Sequence, residues 1–336
     1  MRYGNAELHN VVELLPADDG VGQWLLRIPQ MLRVTLNEWA QRNAVVPGGC
    51  EIRFNVPVGG KAKVTLATDT EDAAPPLAEV FRGCFREQAM RIGREPTTIE
   101  LPHLGSADLF ERIAGEHHLA FDSHLVRILL PAMHRVKLLG IEGDVQPPRS
   151  EQLPSRRYLA YGSSITHGSA AVRPSGTYAM QAAKWMQADL INLGFGGGAH
   201  LEEGMAQYIA GRDDWDFAAL ELGINVGDWP TDKFAQAVRR FLEIVVGAHP
   251  NKWVFCIDMF TFFGDVMPDY TAHKGFRQAV RDAVEAIRSP KLVHIDGRAM
   301  LQELPGLTCD LVHPADDGMY EMGWRMADVM GEAMGW

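Results

Sequence analysis

The chain has 336 residues, 46% of them hydrophobic and 22% charged, an ordinary globular composition with length enough for two domains of usual size. Its formal net charge is −11, and no run of Lys and Arg is long enough to track a phosphate backbone. Nucleic acid and anionic membrane surfaces are therefore poor partners.

Residues 1–16 are charged and polar where a signal peptide needs an apolar stretch, and no segment approaches the length of a bilayer span, which predicts a cytoplasmic protein. Short β-type runs follow at Val11–Leu15, Trp24–Ile28, Cys50–Val58, Lys61–Thr68, Thr97–Leu101, Leu125–Leu130 and Arg135–Ile141. Several alternate, as in Glu51-Ile52-Arg53-Phe54-Asn55-Val56, so that one face is apolar and the other polar. Turn residues such as Pro47-Gly48-Gly49 and Gly59-Gly60 separate them, and no long amphipathic helix competes. The expectation is a β-sandwich of jelly-roll type over residues 1–148. The polar, Pro-containing stretch Gly143–Ser150 marks the boundary.

From residue 149 to 336 strand-type and helix-type segments alternate. Tyr158–Tyr161 precedes Tyr178–Gln187, Leu190–Phe195 precedes Leu201–Ala210, and Phe217–Leu222 precedes Phe234–Ala248. Trp253–Met259 then precedes Phe276–Arg288, and Leu292–Ile295 precedes Gly318–Met334. Five such units predict an α/β fold, a three-layer parallel sheet with helices on both faces. Ligands of such sheets sit at the carboxyl ends of the strands. The four cysteines, Cys50, Cys84, Cys256 and Cys309, form no C-x-x-C pair and are expected to be buried reduced thiols. No metal and no cofactor is expected.

Four loops carry unusual residues: Gly162-Ser163-Ser164-Ile165-Thr166-His167-Gly168, Asn192-Leu193-Gly194-Phe195-Gly196-Gly197-Gly198, Gly223-Ile224-Asn225-Val226, and Asp310-Leu311-Val312-His313-Pro314. A serine hydroxyl is a weak nucleophile until an imidazole takes its proton, and that imidazole needs an acid on its other nitrogen. Asp310 lies three residues before His313, close enough to be that acid. Acyl transfer also needs donors for the developing oxyanion, which backbone N–H groups and a side-chain amide in such loops can supply. Ser163, adjacent to Ser164, is the rival nucleophile. The glycines alone also fit a tight turn or a phosphate cradle, although the full dinucleotide fingerprint is absent.

Those blocks, in that order, resemble the SGNH or GDSL-type hydrolase family over roughly the second half of the chain. The resemblance implies a flavodoxin-like sheet and a metal-independent esterase, with Ser164 as nucleophile, Asp310 and His313 completing the triad, and Ser164, Gly197 and Asn225 as the oxyanion hole. The chain departs from the family where Ser163 replaces the usual aspartate before the nucleophile and where Val226 replaces the acid after the block-three asparagine. Neither position belongs to the triad. A Gly-Ser-Ser-Ile-Thr block behind a β-sandwich looks like the carbohydrate-esterase branch, which implies removal of short acyl groups, acetyl first, from an oligosaccharide or a small-molecule ester.

His167, His200, Trp229 and Phe262 are expected to line the substrate pocket because they follow catalytic blocks or strand ends. Two other functions stay open: a lipid-directed esterase or thioesterase of the same fold, and a carbohydrate-binding protein with a vestigial hydrolase half. A homo-oligomer is compatible with the sequence.

Overall fold

The structure, a computed structural model, describes residues 1–71 and 76–336. The first part contains β1 (Arg2–Tyr3), β2 (Ala6–His9), β3 (Glu13–Pro16), β4 (Gln23–Leu26), β5 (Glu51–Asn55), β6 (Lys61–Thr68), β7 (Leu77–Arg82), β8 (Phe85–Arg91), β9 (Thr97–Pro102), β10 (Leu125–Leu129) and β11 (Val136–Gly143). They pair antiparallel in two sheets, ordered β1-β2-β5-β10-β7-β8 and β3-β4-β11-β6-β9. Alternate residues from both sheets, among them Ile52, Phe54, Val80 and Ile128 from one and Val64, Leu66, Ile99 and Leu138 from the other, meet in one apolar layer.

Three helices interrupt this β pattern: α1 (Gln30–Arg33), α2 (Glu38–Asn43) and α3 (Ala107–Glu116). No long amphipathic helix was expected here, and of these three only α3 reaches 10 residues. None of the described residues of α3 is buried. Strands β7 and β8 were also unanticipated. Their charged residues find local partners: Glu79 is buried and meets Arg86, and Arg82 meets Glu87.

The second part alternates β12 (Arg157–Gly162), α4 (Ser164–His167), α5 (Tyr178–Trp185), β13 (Asp189–Gly194), α6 (Glu203–Ala210), β14 (Phe217–Glu221), α7 (Thr231–Ala248), β15 (Trp253–Ile257), α8 (Ala272–Ile287), β16 (Leu292–Ile295), α9 (Gly297–Met300) and α10 (Asp316–Met334). The strands are all parallel in the order β13-β12-β14-β15-β16, the doubly wound order of flavodoxin-like sheets. This is the α/β fold the sequence predicts.

Period-two alternation along β12 decides the layers. Leu159 and Tyr161 face one side with Phe234, Val238, Phe241 and Val245 of α7, while Tyr158 and Ala160 face the other with Met319, Met322, Met326 and Met330 of α10. Burying each such side chain contributes about 1.5–3 kcal/mol, which fixes the sheet rigidly between its helices.

The two parts are joined through their interiors. Ile28, Leu36, Ala40 and Ala44, from the first part, belong to the same apolar cluster as Leu193, Met205 and Phe241 of the second. Elsewhere along the seam Arg53 makes a two-pronged contact with Asp189 at 2.8 and 2.6 Å, and Glu51 bridges Arg53 to Arg127. Breaking one partner of such a buried pair typically costs about 3–5 kcal/mol. Cys50 and Cys256 are buried free thiols as expected, but Cys84 is only partly buried and Cys309 is exposed.

Candidate active site

β12 ends at Gly162, and the chain turns at once into α4. Ser163 caps that helix by accepting the Ile165 N–H at 3.1 Å, so its hydroxyl is used in the turn and is buried. Ser164, one residue on, begins the helix with its hydroxyl toward solvent-accessible space. A side chain at Gly162 would collide with the Glu221 carboxylate and the Thr166 hydroxyl, which is why the turn needs glycine there.

Ser164 Oγ lies 2.7 Å from His313 Nε2. His313 Nδ1 lies 2.7 Å from Asp310 Oδ2, and because a carboxylate can only accept, Nδ1 carries the proton and Nε2 is left as the base. The other Asp310 oxygen accepts the Val312 and His313 N–H groups at 2.8 and 2.9 Å and the Thr308 hydroxyl at 2.8 Å. Burial pushes the Asp310 carboxyl up, but the His313 ring and these donors outweigh it and hold the group well below the usual carboxylate range. Leu311, at φ 55°, makes the tight turn that folds Asp310 under the ring.

Gly197 and Asn225 reach the same place from the loops after β13 and β14. Asn225 Oδ1 accepts the Ala199 N–H at 3.1 Å, which fixes the amide orientation and leaves its NH₂ to donate. Among the described residues, the Ser164 and Gly197 N–H groups have no partner. Gly197 sits at φ +69° with its Cα hydrogen against the Trp39 indole, so neither the backbone nor the space admits a side chain. Ser164, Gly197, Asn225 and His313 line one cleft of about 540 Å³. Three donors and a serine–imidazole–carboxylate chain facing one cleft can generate an alkoxide and stabilise a tetrahedral oxyanion.

Beneath the nucleophile turn lies Glu221, 1% exposed at the end of β14. Its Oε2 accepts the Ser163 N–H at 2.6 Å and the Thr166 hydroxyl at 3.0 Å. Burial raises its pKa, opposed by those hydrogen bonds and by the His313 charge. Glu221 was not among the expected site residues, although an acid at the end of a strand of otherwise apolar residues is a signal for it.

The four expected pocket residues part company. Phe262 is buried and lines the cleft, packed against Phe263 and Tyr270, which line it too. His167 does not reach it. That ring is fully buried in the seam, with Nε2 3.3 Å from Arg27 Nη2 and Nδ1 accepting the Gly196 N–H at 3.4 Å; burial and the adjacent guanidinium depress its pKa well below the ordinary histidine value. His200 and Trp229 stand behind the cleft. His200 Nε2 meets the Gly197 carbonyl at 3.0 Å and its ring packs edge-on to Trp229, whose own face is covered by Lys233.

Residues from the first part complete the wall: Trp39 and Asn43 of α2, and Met133. Asn43 donates to the Gly196 carbonyl at 2.8 Å and Asn37 to that of Gly198 at 2.9 Å. Behind them Arg27, fully buried, donates to the carbonyls of Val46, Asn192, Asn43 and Gly194 at 2.8–2.9 Å. It pins the β13 loop, and burial lowers its pKa to about 10.

Residues 160–320 match the GDSL-like lipase/acylhydrolase family. Among curated proteins no match is found. Among solved structures, a salicylyl-acyltransferase from a tetracycline biosynthetic pathway is 18% identical with a TM-score of 0.78, over 99% of this chain and 94% of its own. A family two carbohydrate esterase from Cellvibrio japonicus is 14% identical with a TM-score of 0.64, over 99% and 96%. An acetyl xylan esterase from the rumen bacterium Butyrivibrio proteoclasticus is 14% identical with a TM-score of 0.56, over 86% and 91%. At these identities the structures speak for the fold, on both sides of residue 148. The family match falls on the parallel sheet and the loops that build the cleft; that region is similar to GDSL-like lipases and acylhydrolases, and the chain is an esterase.

Proposed function

We propose that the chain is a two-domain serine esterase, divided near residue 148, that removes short acyl groups, acetyl first, from a carbohydrate or similar alcohol. One observation carries the reading: the hydrogen-bond chain from Ser164 through His313 to Asp310, with both links at 2.7 Å, opening on a cleft that also holds Asn225 and Gly197. Ser164 Oγ attacks the ester carbonyl as its proton passes to His313 Nε2. The carbonyl oxygen becomes an oxyanion held by the Ser164 and Gly197 N–H groups and the Asn225 amide, and Asp310 stabilises the imidazolium. The tetrahedral centre then collapses, the alcohol leaves with the His313 proton, and an acyl-enzyme remains. Water, deprotonated by His313, repeats the sequence at that carbonyl and frees the acid and Ser164.

The acetyl and carbohydrate parts are supported by the likeness to the carbohydrate esterase and the acetyl xylan esterase that share this fold. A second reading, an esterase for longer acyl chains, is favoured by the apolar side chains of Met133, Met259, Phe262 and Phe263 along the cleft. Hydrolysis of one aryl alcohol esterified with acyl chains of rising length separates the two. A steep fall beyond acetyl is expected, and a rise toward long chains would overturn the proposal. Failure of a fluorophosphonate to label the wild type would overturn the serine mechanism itself.

A further inference from the structure

A second groove, of about 790 Å³, adjoins the catalytic cleft and shares Trp39, Asn43 and Met133 with it. It runs over the edge of the antiparallel part, where Arg33, Arg42 and Arg135 line it with Asp18 and Asp69. The three guanidiniums are not equally neutralised. Arg135 is paired with Asp18 and Asp69, each at 3.2 Å, and its guanidinium lies over the Trp24 ring at 3.9 Å. Arg33 bonds only neutral acceptors among the described residues, the Gln41 carbonyl at 2.7 Å and the Gln30 side chain at 3.1 Å. Arg42 is 68% exposed and meets Glu38 at 3.6 Å, too long for a tight pair, while its guanidinium stands 5.4 Å from the Trp39 ring.

Burial, and then the charge of Arg135, push the Arg33 pKa down, with Asp18 opposing them. A chain of net charge −11 places three arginines against two aspartates in a groove that opens beside its candidate nucleophile, with Arg33 hydrogen-bonded to no carboxylate among the described residues and Arg42 only loosely paired. Guanidiniums with open donors suit a ligand that brings negative charge, and arginine forks match carboxylate and phosphate oxygens.

We propose that this groove receives the alcohol portion of the ester, and that the alcohol carries an anionic group, a carboxylate or a phosphate, held by Arg33 and Arg42 with Trp39 as the platform between anion and scissile bond. The assignment rests on the esterase reading above and adds the substrate class to it.

The test compares an O-acetylated uronic acid with its methyl ester, which has nearly the same shape and no charge, and an O-acetylated hexose with its phosphorylated counterpart. The readout is the ratio of kcat/KM for the charged over the neutral member in the wild type, Arg42→Ala and Arg33→Gln. A wild-type ratio of about ten or more is expected for at least one pair, reduced several-fold by either substitution, mostly through KM, because a charge-assisted hydrogen bond contributes about that much. The pair with the larger ratio identifies the anion. Arg42 is exposed, so its variant folds and keeps the test decisive even where Arg33→Gln does not. Ratios near one in the wild type for both pairs, or ratios that survive both substitutions, would overturn the assignment. Phenyl acetate hydrolysis by the wild type separates the two levels: activity there with no charge preference removes the groove assignment alone, and no activity on any ester removes the esterase reading beneath it.

Discussion

Ser164, Gly197, Asn225 and His313 reach the cleft from loops at the carboxyl ends of one parallel sheet, whereas Trp39, Asn43 and Met133 reach it from the antiparallel half, across a seam pinned by Arg27. The first group needs distances set within tenths of an ångström, and strands buried between two helical layers provide that rigidity. The second group only shapes the space. The seam shows the same division of labour in its buried arginines. Arg53 is matched by the carboxylates of Asp189 and Glu51, remote from the cleft, and acts as an electrostatic clamp. Arg27 meets backbone carbonyls and His167, and what it clamps is the loop that presents Gly197. Chemistry here is local to one half, while the shape and steadiness of the site are imported from the other.

The largest effect expected within this comparison is from Ser164→Ala, which should lower kcat for an aryl acetate by about 10⁴-fold or more. Ser163→Ala should instead keep most activity and lose about 1 kcal/mol of stability through the helix cap it supplies, and the reverse pattern would reassign the nucleophile. Asn225→Ala should cost about 10²–10³ in kcat with little change in melting temperature, as the loss of one oxyanion donor does.

The two arginines sharpen the contrast. Arg27→Met strips a donor from four carbonyls, of which those of Val46, Asn43 and Asn192 keep the Gly48 N–H, the Val46 N–H and the Asn10 amide while Gly194 loses its side-chain donor, so denaturant titration should show a loss of about 1–3 kcal/mol. Arg53→Met should destabilise at least as much by stranding Asp189. Only the Arg27 variant should also depress kcat per folded molecule, because only it touches the oxyanion loop. Equal effects on kcat would dissolve the distinction between clamp and brace.

The smallest effect concerns Glu221, whose folded pKa is raised by burial. Its folded state therefore favours the protonated form: the associated stability is fully present below the ordinary glutamate pKa and is lost as pH rises through the raised value. Glu221→Gln lacks this loss. Stability curves across pH should show the variant gaining on the wild type as pH increases, and parallel curves would mean that the carboxylate is ionised in the folded chain.

Much of this architecture was legible in the residues. The five strand–helix units and the four loop blocks lie within short windows, where apolar periodicity and turn chemistry are directly visible, and β6 and β16 fall where the pattern places them. The helices of the antiparallel half were not legible, because α2 spends its apolar face on residues of the other half that lie far away in sequence. His167 shows the same limit from the other side. It stands three residues from Ser164, yet its ring turns into the seam against Arg27 and Gly48 rather than into the cleft. Adjacency in sequence does not fix the direction of a side chain.

The sequence by itself determined which groups are present to react and on what kind of element each one sits, because hydroxyl, imidazole and carboxylate chemistry and the periods of strand and helix are local properties. Only the tertiary structure decided that Ser164 and His313, 149 residues apart, come within 2.7 Å, that Arg27 and Trp39 of the other half complete the site, and that Arg33 and Arg42 stand beside it. Those outcomes depend on which buried faces find each other, and that is set by packing of the whole chain rather than by any window of it.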